Sequence, residues 1–307
     1  MSVRRLVADA GGTNVRFAMA DARGELECLR TYQVDQFPTF VDALDAYLSQ
    51  AGHPEAIAAA AIAAAGPVDG DQVRLTNNAW SIDRTRLPAL PAGIPVALVN
   101  DLEAVAAALP HLSVADVEVI GGVAPGRPEL RTMLAVNIGT GFGAASVMHR
   151  AGRWWTCPTE AGHTSLGTAA EEIDVLPKNA SIEDVLSGQG LTQLYREIAG
   201  ADRPARDAAA VFANVGVDTA AGRAVSICTD ILGRTAGDLA LATCAWGGVY
   251  LCGSVAVGWS AVADGTRFRA EFTRKGAMRK RMEQVPTVVI RRDNVALFGL
   301  AVMPLSA

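Results

Sequence analysis

The feature that most constrains this sequence is a short pattern that occurs twice. Each copy is an apolar run, a glycine-rich turn that contains a threonine, and a second apolar run. The copies span residues 6–19 and 133–148, and their first turn glycines, Gly11 and Gly139, lie 128 positions apart. Each copy predicts two strands joined by a turn. A single repeat at this separation favours two related halves over a short-period solenoid.

Periodic segments around the two copies predict an α/β fold. Apolar residues recur at helical spacing over residues 39–51 and 102–109, and short apolar runs predict strands. The other segments are predicted strands at 56–65, 72–75, 96–99, 247–253 and 286–290, and predicted helices at 182–199, 223–245 and 295–303. The last helix is expected to pack back on the first half. Strands that alternate with helices are typical of α/β domains.

Composition excludes several classes of protein. The chain has 307 residues with 32 acidic and 27 basic side chains, so its net charge of −5 provides no basic field for nucleic acid or an anionic membrane. The apolar stretch at 56–67 is shorter than a bilayer span. The N-terminal residues reach Asp9 before a signal-peptide core forms. We therefore expect a soluble, cytoplasmic protein.

Two further features have plain explanations. The five cysteines are odd in number, lack CxxC spacing and mostly lie in apolar runs, which favours reduced core thiols over a disulfide frame or a zinc site. The basic run from Arg267 to Arg281 contains interleaved apolar residues, which favours the solvated face of a helix over a nucleic-acid surface.

The two glycine turns indicate a phosphate site. Glycine permits positive φ and close backbone approach, so such turns can present N–H groups to an anion. Neither turn matches the P-loop pattern or a GxGxxG that opens a helix. The alternative is that each turn is only a tight hairpin that needs glycine for type I′ or II′ geometry.

Two aspartates lie at predicted strand ends. Asp9 could orient a hydrated Mg²⁺ beside phosphates, or it could cap its own turn. Asp101 follows a predicted strand and begins a predicted helix, at the edge where open α/β sheets bind ligands. There it could accept the proton of a hydroxyl nucleophile in phosphoryl transfer. The alternative is an aspartate stabilised by the helix dipole.

Glu160, His163 and Glu183 provide hydrogen-bonding groups suited to sugar hydroxyls. The alternative is that they are exposed loop residues. A metal site would need a third ligand, and the four histidines are scattered along the chain.

Five ordered motifs resemble the bacterial glucokinase family of the sugar kinase and actin-like ATPase superfamily, over residues 6 to about 303. They are Leu6-Val-Ala-Asp-Ala-Gly-Gly-Thr-Asn-Val-Arg-Phe-Ala, Val99-Asn-Asp-Leu-Glu-Ala-Val-Ala, Gly139-Thr-Gly-Phe-Gly, Glu160-Ala-Gly-His and Val185-Leu-Ser-Gly-Gln-Gly-Leu. The resemblance implies a two-lobed actin-like ATPase (ribonuclease H-like) fold with an active-site cleft between the lobes. It implies a small α/β domain at 1–100, completed by about 293–307, and a large α/β domain at 101–292. Cytosolic kinases of this size are often dimers, so we expect a homodimer.

The resemblance also implies residue roles in the ATP- and Mg²⁺-dependent phosphorylation of glucose at its 6-hydroxyl. Asp101 would be the general base. The sugar would be bound by Asn77, Asn100, Asp101, Glu160, His163 and Glu183. The nucleotide phosphates would be bound by Asp9 (to Mg²⁺ through water), Gly11, Gly12, Thr13, Asn14, Gly139, Thr140, Gly141 and Gly253. The chain has Ala161 where the family often has glycine, so the resemblance does not define the residues that form the wall of the sugar site.

Three other functions remain alternatives to the phosphorylation of glucose. A kinase for another hexose or an amino sugar would differ in its kcat/KM ranking. A sugar-binding sensor would have less need of both Asp9 and Asp101. A filament-forming actin-like ATPase would hydrolyse ATP without sugar, and the group formed by Asn100, Glu160 and His163 argues against it.

Overall fold

The chain divides into two compact units. The computed structural model describes residues 4–21, 23–51, 57–76, 78–126, 131–167, 174–176, 179–200 and 206–305. Unit 1 consists of Met1–His111, Arg150–Thr156 and Asp293–Ala307, and unit 2 consists of Leu112–His149 and Cys157–Arg292. Relative to the predicted division at residue 100, unit 1 also includes the helix that begins at Asp101 and the segment 150–156.

Unit 1 is built on a five-stranded sheet with the order β3-β2-β1-β4-β8. Its strands are β1 (Arg4–Ala10), β2 (Asn14–Ala20), β3 (Leu26–Gln33), β4 (Ile57–Ala64) and β8 (Val96–Asn100). β2 is antiparallel to β1 and β3, whereas β4 is parallel to β1 and β8. β4 is apolar along its whole length because parallel strands are covered on both faces. A small antiparallel sheet contains β5 (Val68–Asp69), β6 (Gln72–Arg74) and β7 (Ser81–Asp83).

Unit 2 contains most of a six-stranded sheet with the order β12-β11-β10-β13-β14-β9, in which residue 150 of β11 and residues 153–156 of β12 are counted in unit 1. Its strands are β9 (Val117–Val119), β10 (Met133–Ile138), β11 (Phe142–Arg150), β12 (Arg153–Thr159), β13 (Val249–Cys252) and β14 (Thr287–Ile290). β10 and β11 form the antiparallel hairpin, and β13 and β14 continue the sheet in parallel. The first five strands repeat the order of the unit 1 sheet, so the prediction of two related halves is confirmed.

The helices are α1 (Phe40–Ala51), α2 (Asp101–Ala108), α3 (Gly188–Ala199), α4 (Ala208–Ala213), α5 (Thr219–Ala242), α6 (Ser254–Ser260), α7 (Gly265–Thr273), α8 (Arg279–Met282) and α9 (Val295–Val302). Five of them, α1, α2, α3, α5 and α9, were predicted with other ends, and α3 begins six residues after the predicted start at residue 182. Helices α7 and α8 overlap the basic run that was predicted to be helical, whereas α4 and α6 were not predicted. Among the described residues, no helix combines the length and apolar character needed to cross a bilayer.

Helix α9 packs against α2 and β1, which confirms the prediction that the last helix returns to the first half. Leu297 and Leu300 share a buried cluster with Val7. A guanidinium nitrogen of Arg5 donates to the carbonyl oxygens of Leu300, Ala301 and Met303 at 2.7, 2.9 and 2.8 Å. Since each carbonyl belongs to the last turn of α9 or follows it, this guanidinium satisfies a helix end that lacks intrahelical partners.

Two predictions about side-chain environments are wrong in part. Arg269 lies in the basic run but is only 8% exposed, and it donates to the carbonyl oxygens of Val285, Met282 and Glu283. Its neighbour Arg267 is on the surface and pairs with Asp230. Among the cysteines, Cys228 and Cys252 are buried as expected, whereas three are exposed: Cys28, Cys157 and Cys244. Burial raises the pKa of the Cys228 thiol to about 12.

Candidate active site

The first glycine turn, between β1 and β2, has its carbonyl oxygens occupied by donors. The donors are Asn78 Nδ2 to Gly11 and Gly12 (3.3 and 3.5 Å), Val34 N to Thr13 (2.9 Å) and Gly11 N to Asn14 (2.9 Å). Within the described part of the chain, no group accepts from the backbone N–H of Gly12 or Thr13. The turn therefore has N–H groups available to a ligand, while its carbonyl oxygens are already hydrogen-bonded, as a binding site for an anion requires.

The second glycine turn, between β10 and β11, has a similar arrangement in unit 2. The carbonyl oxygen of Gly139 accepts from Gly188 N, and that of Gly141 accepts from Gly139 N, both at 2.9 Å. Phe142 N donates to Glu183 Oε2 at 2.7 Å. No acceptor for the N–H groups of Thr140 and Gly141 occurs among the residues that the structure describes.

Positive φ does not explain the glycines of these turns, and close contacts explain two of them. None of Gly11, Gly12, Gly139, Gly141 and Gly143 has a positive φ, so the alternative of type I′ or II′ hairpins is wrong. A Cβ built on Gly141 would lie 2.5 Å from the Glu183 carboxylate oxygen, and one on Gly11 would lie 3.3 Å from the Asn14 carbonyl oxygen. Close contacts with protein atoms therefore explain Gly141 and Gly11, whereas a Cβ on Gly139 would make only an ordinary contact, at 3.5 Å from the Asn137 side chain.

A cavity of about 1020 Å³ opens beside the second turn. Gly139 and Thr140 line it together with the N-terminal turn of α3, where Ser187 caps the helix by accepting from Gly190 N at 3.0 Å. A helix N-terminus and free turn N–H groups both favour a phosphate. No role was predicted for several polar residues that line this cavity, among them Ser187, Gln189, Gln193, Arg196, Asp207 and Ser254.

Gly253, predicted to contact the nucleotide, joins β13 to α6. Its φ is +94°, and an added Cβ would overlap the side chain of Asn137 and the carbonyl group of Ile138. Ser254, the next residue, lines the cavity. Gly253 therefore adopts a backbone conformation and a close contact that only glycine allows.

Asp9 lies on β1 directly before the first turn. Its carboxylate is 16% exposed and accepts from Arg16 Nη1 at 3.2 Å, from the position opposite it on β2. Burial raises the pKa of this carboxyl group, and the positive charge of Arg16 opposes the rise. Among the described residues, no group of three or more His, Cys, Asp or Glu side chains is arranged to hold a metal ion. A single carboxylate fits Mg²⁺ that keeps most of its waters.

Asn100 and Asp101 lie where β8 ends and α2 begins, as predicted. Asn100 Nδ2 donates to the carbonyl oxygen of Gly66 at 3.2 Å, and its Oδ1 accepts from Leu102 N at 2.9 Å. Asp101 Oδ1 accepts from the same N–H at 2.8 Å. Ala65 N donates to Ala10 O at 3.0 Å, so the carboxyl ends of β1, β4 and β8 meet at one edge. This edge carries Asp9, the first glycine turn and Asp101.

Glu160, His163 and Glu183 are brought together in unit 2. Glu160 directly precedes a 3-10 helix (Ala161–His163) of which His163 is the last residue. Glu160 Oε2 lies 3.9 Å from His163 Nε2, and both side chains are about 70% exposed. Glu183 N donates to Gly162 O at 2.9 Å. A Cβ on Gly162 would lie 2.5 Å from the carbonyl oxygen of Phe142, so this segment is held against the end of the second turn.

Sequence reasoning missed one residue at the first turn. Asn78 contacts the turn but was assigned no role. Asn77, which was predicted to bind the sugar, lies outside the described residues. No periodicity or spacing marks Asn78 as a partner of the turn, because its contact with Gly11 spans 67 positions of the sequence.

Comparison with known proteins decides the family. The family model described as Glucokinase matches residues 6–306. This chain belongs to the glucokinase family. The glucokinase of Nitrobacter hamburgensis is 34% identical over 99% of this chain and 98% of that protein. The glucokinase of Chromobacterium violaceum is 37% identical over 97% and 88% of the two chains. A crystal structure of glucokinase from an Antarctic psychrotroph is 30% identical, with a TM-score of 0.81 over 98% of each chain.

Family membership confirms the resemblance to the bacterial glucokinase family that the five motifs indicated. The protein is an enzyme of the ATP:hexose 6-phosphotransferase class with the two-lobed α/β fold of the actin-like ATPases.

Proposed function

We propose that this protein phosphorylates glucose at its 6-hydroxyl with ATP, and that Asp101 is the general base. The observation that carries this assignment is the placement of Asp101 at the carboxyl end of β8, next to an Asn100 side chain fixed by two hydrogen bonds. A carboxylate at this edge can accept a hydroxyl proton in phosphoryl transfer, where catalysis depends on positioning and charge stabilisation.

The chemical step requires one proton transfer and one exchange of bonds. The Asp101 carboxylate takes the proton of the 6-hydroxyl while the sugar oxygen bonds to the γ-phosphorus of ATP. The bond between that phosphorus and the β–γ bridging oxygen breaks, which releases ADP. The products are glucose 6-phosphate, ADP and a proton, which Asp101 passes to solvent.

The phosphates are bound by backbone N–H groups in this proposal. Gly12 and Thr13 in unit 1, and Thr140 and Gly141 in unit 2, present N–H groups that have no acceptor among the described residues. Donors fixed before the reaction stabilise developing charge without reorganising. Mg²⁺, oriented by Asp9 through water, would neutralise charge on the phosphate oxygens.

The sugar hydroxyls are assigned to the remaining polar side chains. Asn100, Glu160, His163 and Glu183, with Asn77 by resemblance, provide donors and acceptors for several hydroxyls. Glucose is favoured as the substrate because the family model and the two relatives are named glucokinase. Another hexose would change only the kcat/KM ranking. We further propose a cytoplasmic homodimer, as its substrate ATP and its size suggest.

The test is ADP release from MgATP with glucose, mannose, fructose, N-acetylglucosamine or no sugar. We expect glucose to give the highest kcat/KM and the sugar-free reaction to be slow. A different preferred sugar would overturn only the substrate. Glucose binding without turnover would overturn the kinase in favour of a sensor, and rapid hydrolysis without sugar would indicate an ATPase.

A further inference from the structure

The Asn78 side chain is held at both ends in the loop between β6 and β7. Its Oδ1 accepts from Trp80 N at 2.7 Å. Trp80 is in turn fixed, because its indole Nε1 donates to the carbonyl oxygen of Phe37 at 3.2 Å and its ring meets Phe40 edge-on at 6.2 Å between centroids. With Oδ1 engaged, the orientation of the amide nitrogen is determined.

That amide nitrogen contacts the carbonyl oxygens of Gly11 at 3.3 Å and Gly12 at 3.5 Å. In a planar trans peptide the C=O and the following N–H point in opposite directions. A donor that holds the Gly11 carbonyl therefore directs the Gly12 N–H away from itself, and the same holds for the Gly12 carbonyl and the Thr13 N–H. These are the two N–H groups of the first turn for which no described residue provides an acceptor.

We propose that Asn78 is a positioning residue for the ATP phosphates, which it serves by orienting the two peptide planes of the first glycine turn. This inference rests on the proposed function, because it assigns the turn to the phosphates. Asn78 needs no contact with the nucleotide for this role. The glycines have little intrinsic preference for one conformation, so an outside donor is needed to hold their peptides in the binding orientation.

Two substitutions separate this role from the support that Asn78 gives to Trp80. Asn78→Ser and Asn78→Asp each keep an oxygen able to accept from Trp80 N in the local turn. Serine is too short to reach the glycine carbonyls, and aspartate has no donor, so both lose the contact with the turn. Serine does so without adding charge. Gln72→Ser is the matched control, because it removes an amide that donates to Asp83 within the same small sheet.

The measurements are kcat, KM for MgATP and KM for glucose, together with calorimetric Kd values for ADP and thermal midpoints. We expect Asn78→Ser to raise KM for MgATP and Kd for ADP about tenfold, the effect of one net hydrogen bond. KM for glucose should stay within about twofold, and Gln72→Ser should match the parent. Asn78→Asp should bind MgATP and ADP more weakly still, because the negative charge of the aspartate repels phosphate.

The inference is overturned if Asn78→Ser binds ADP as the parent does, or if only Asn78→Asp is impaired, since charge alone would then explain the defect. It is also overturned if KM for glucose and KM for MgATP rise equally with a lowered thermal midpoint, which indicates general loss of structure. If the parent lacks sugar-dependent turnover, the proposed function fails while the ADP affinities still decide the role of Asn78.

Discussion

At the scale of single residues, the contact between Gly141 and Glu183 links a glycine turn to a proposed sugar ligand. A Cβ at position 141 would lie 2.5 Å from Glu183 Oε2, the atom that accepts from Phe142 N. We predict that Gly141→Ala displaces this carboxylate and raises KM for glucose about tenfold or more. Steady-state kinetics with varied glucose check this prediction.

Gly139→Ala is the control for the steric argument. It lies in the same turn, but the described atom nearest to its added Cβ would be in the Asn137 side chain, at 3.5 Å. We expect a smaller rise in KM for glucose than Gly141→Ala gives. Equal effects of the two substitutions would contradict the assignment to Glu183 and would indicate a general requirement for glycine in the turn.

The residue that follows Glu183 provides a prediction about acid stability. Hydrogen bonds from the Ser181 backbone N–H and hydroxyl, both at 2.8 Å, lower the pKa of Asp184, with a smaller contribution from the positive charge of His163. A carboxyl group whose pKa is lower in the folded state stabilises the protein above its unfolded pKa, and this stabilisation disappears as pH falls through the folded value.

We therefore predict that Asp184→Asn destabilises the protein near neutral pH, and that the difference from the parent shrinks as the pH falls below about 4. Urea unfolding of both proteins across this pH range measures the difference. A difference that stays constant with pH would show that the Asp184 charge contributes nothing and that only its hydrogen-bond geometry matters.

At the scale of elements, glycine also determines how closely α9 packs on α2. A Cβ on Gly299 would overlap the carbonyl oxygen of Ala104, which is part of a helix backbone and cannot move aside without shifting α2. We predict that Gly299→Ala lowers the free energy of unfolding by about 2 kcal/mol or more.

Gly216→Ala is the comparison for that prediction. Among the described residues, no atom lies within 4 Å of a Cβ placed at Gly216, and the φ of Gly216 is not positive. The free energy of unfolding of Gly216→Ala should therefore stay within about 0.5 kcal/mol of the parent value. Chemical denaturation measures both. A Gly299→Ala protein as stable as Gly216→Ala would show that α9 and α2 can separate at little cost.

Elements were the most predictable part of this molecule. The hairpins, α1 and the junction of β8 with α2 follow from local periodicity and turn residues, which act over a few positions. The burial of Arg269 was not predictable, because its partners Met282, Glu283 and Val285 reach it through the tertiary fold. The contact of Asn78 with Gly11 was not predictable for the same reason, because the two residues are 67 positions apart and meet only through the tertiary fold.

At the scale of the whole molecule, the repeated glycine turn predicted two related halves, and the strand orders of the two sheets confirm that prediction. The sheets β3-β2-β1-β4-β8 and β12-β11-β10-β13-β14 correspond strand by strand. What the repeat did not predict is how the turns differ, since Asn78 holds the first and Glu183 holds the second. These supporting residues come from segments that have no counterpart in the repeat.

The most direct test of the account is the pairing of glucose-dependent ADP release with calorimetric glucose binding for Asp101→Asn. Asparagine keeps an oxygen that can accept from Leu102 N, so α2 should begin as before. Glu103→Gln is the control, because that carboxylate lies two residues along α2 and accepts from Thr156 Oγ1 at 2.6 Å.

We predict that Asp101→Asn lowers kcat by about a thousandfold, while its Kd for glucose stays within about threefold and Glu103→Gln retains activity. A kcat within tenfold of the parent, at unchanged glucose affinity, would contradict the role of Asp101 as general base.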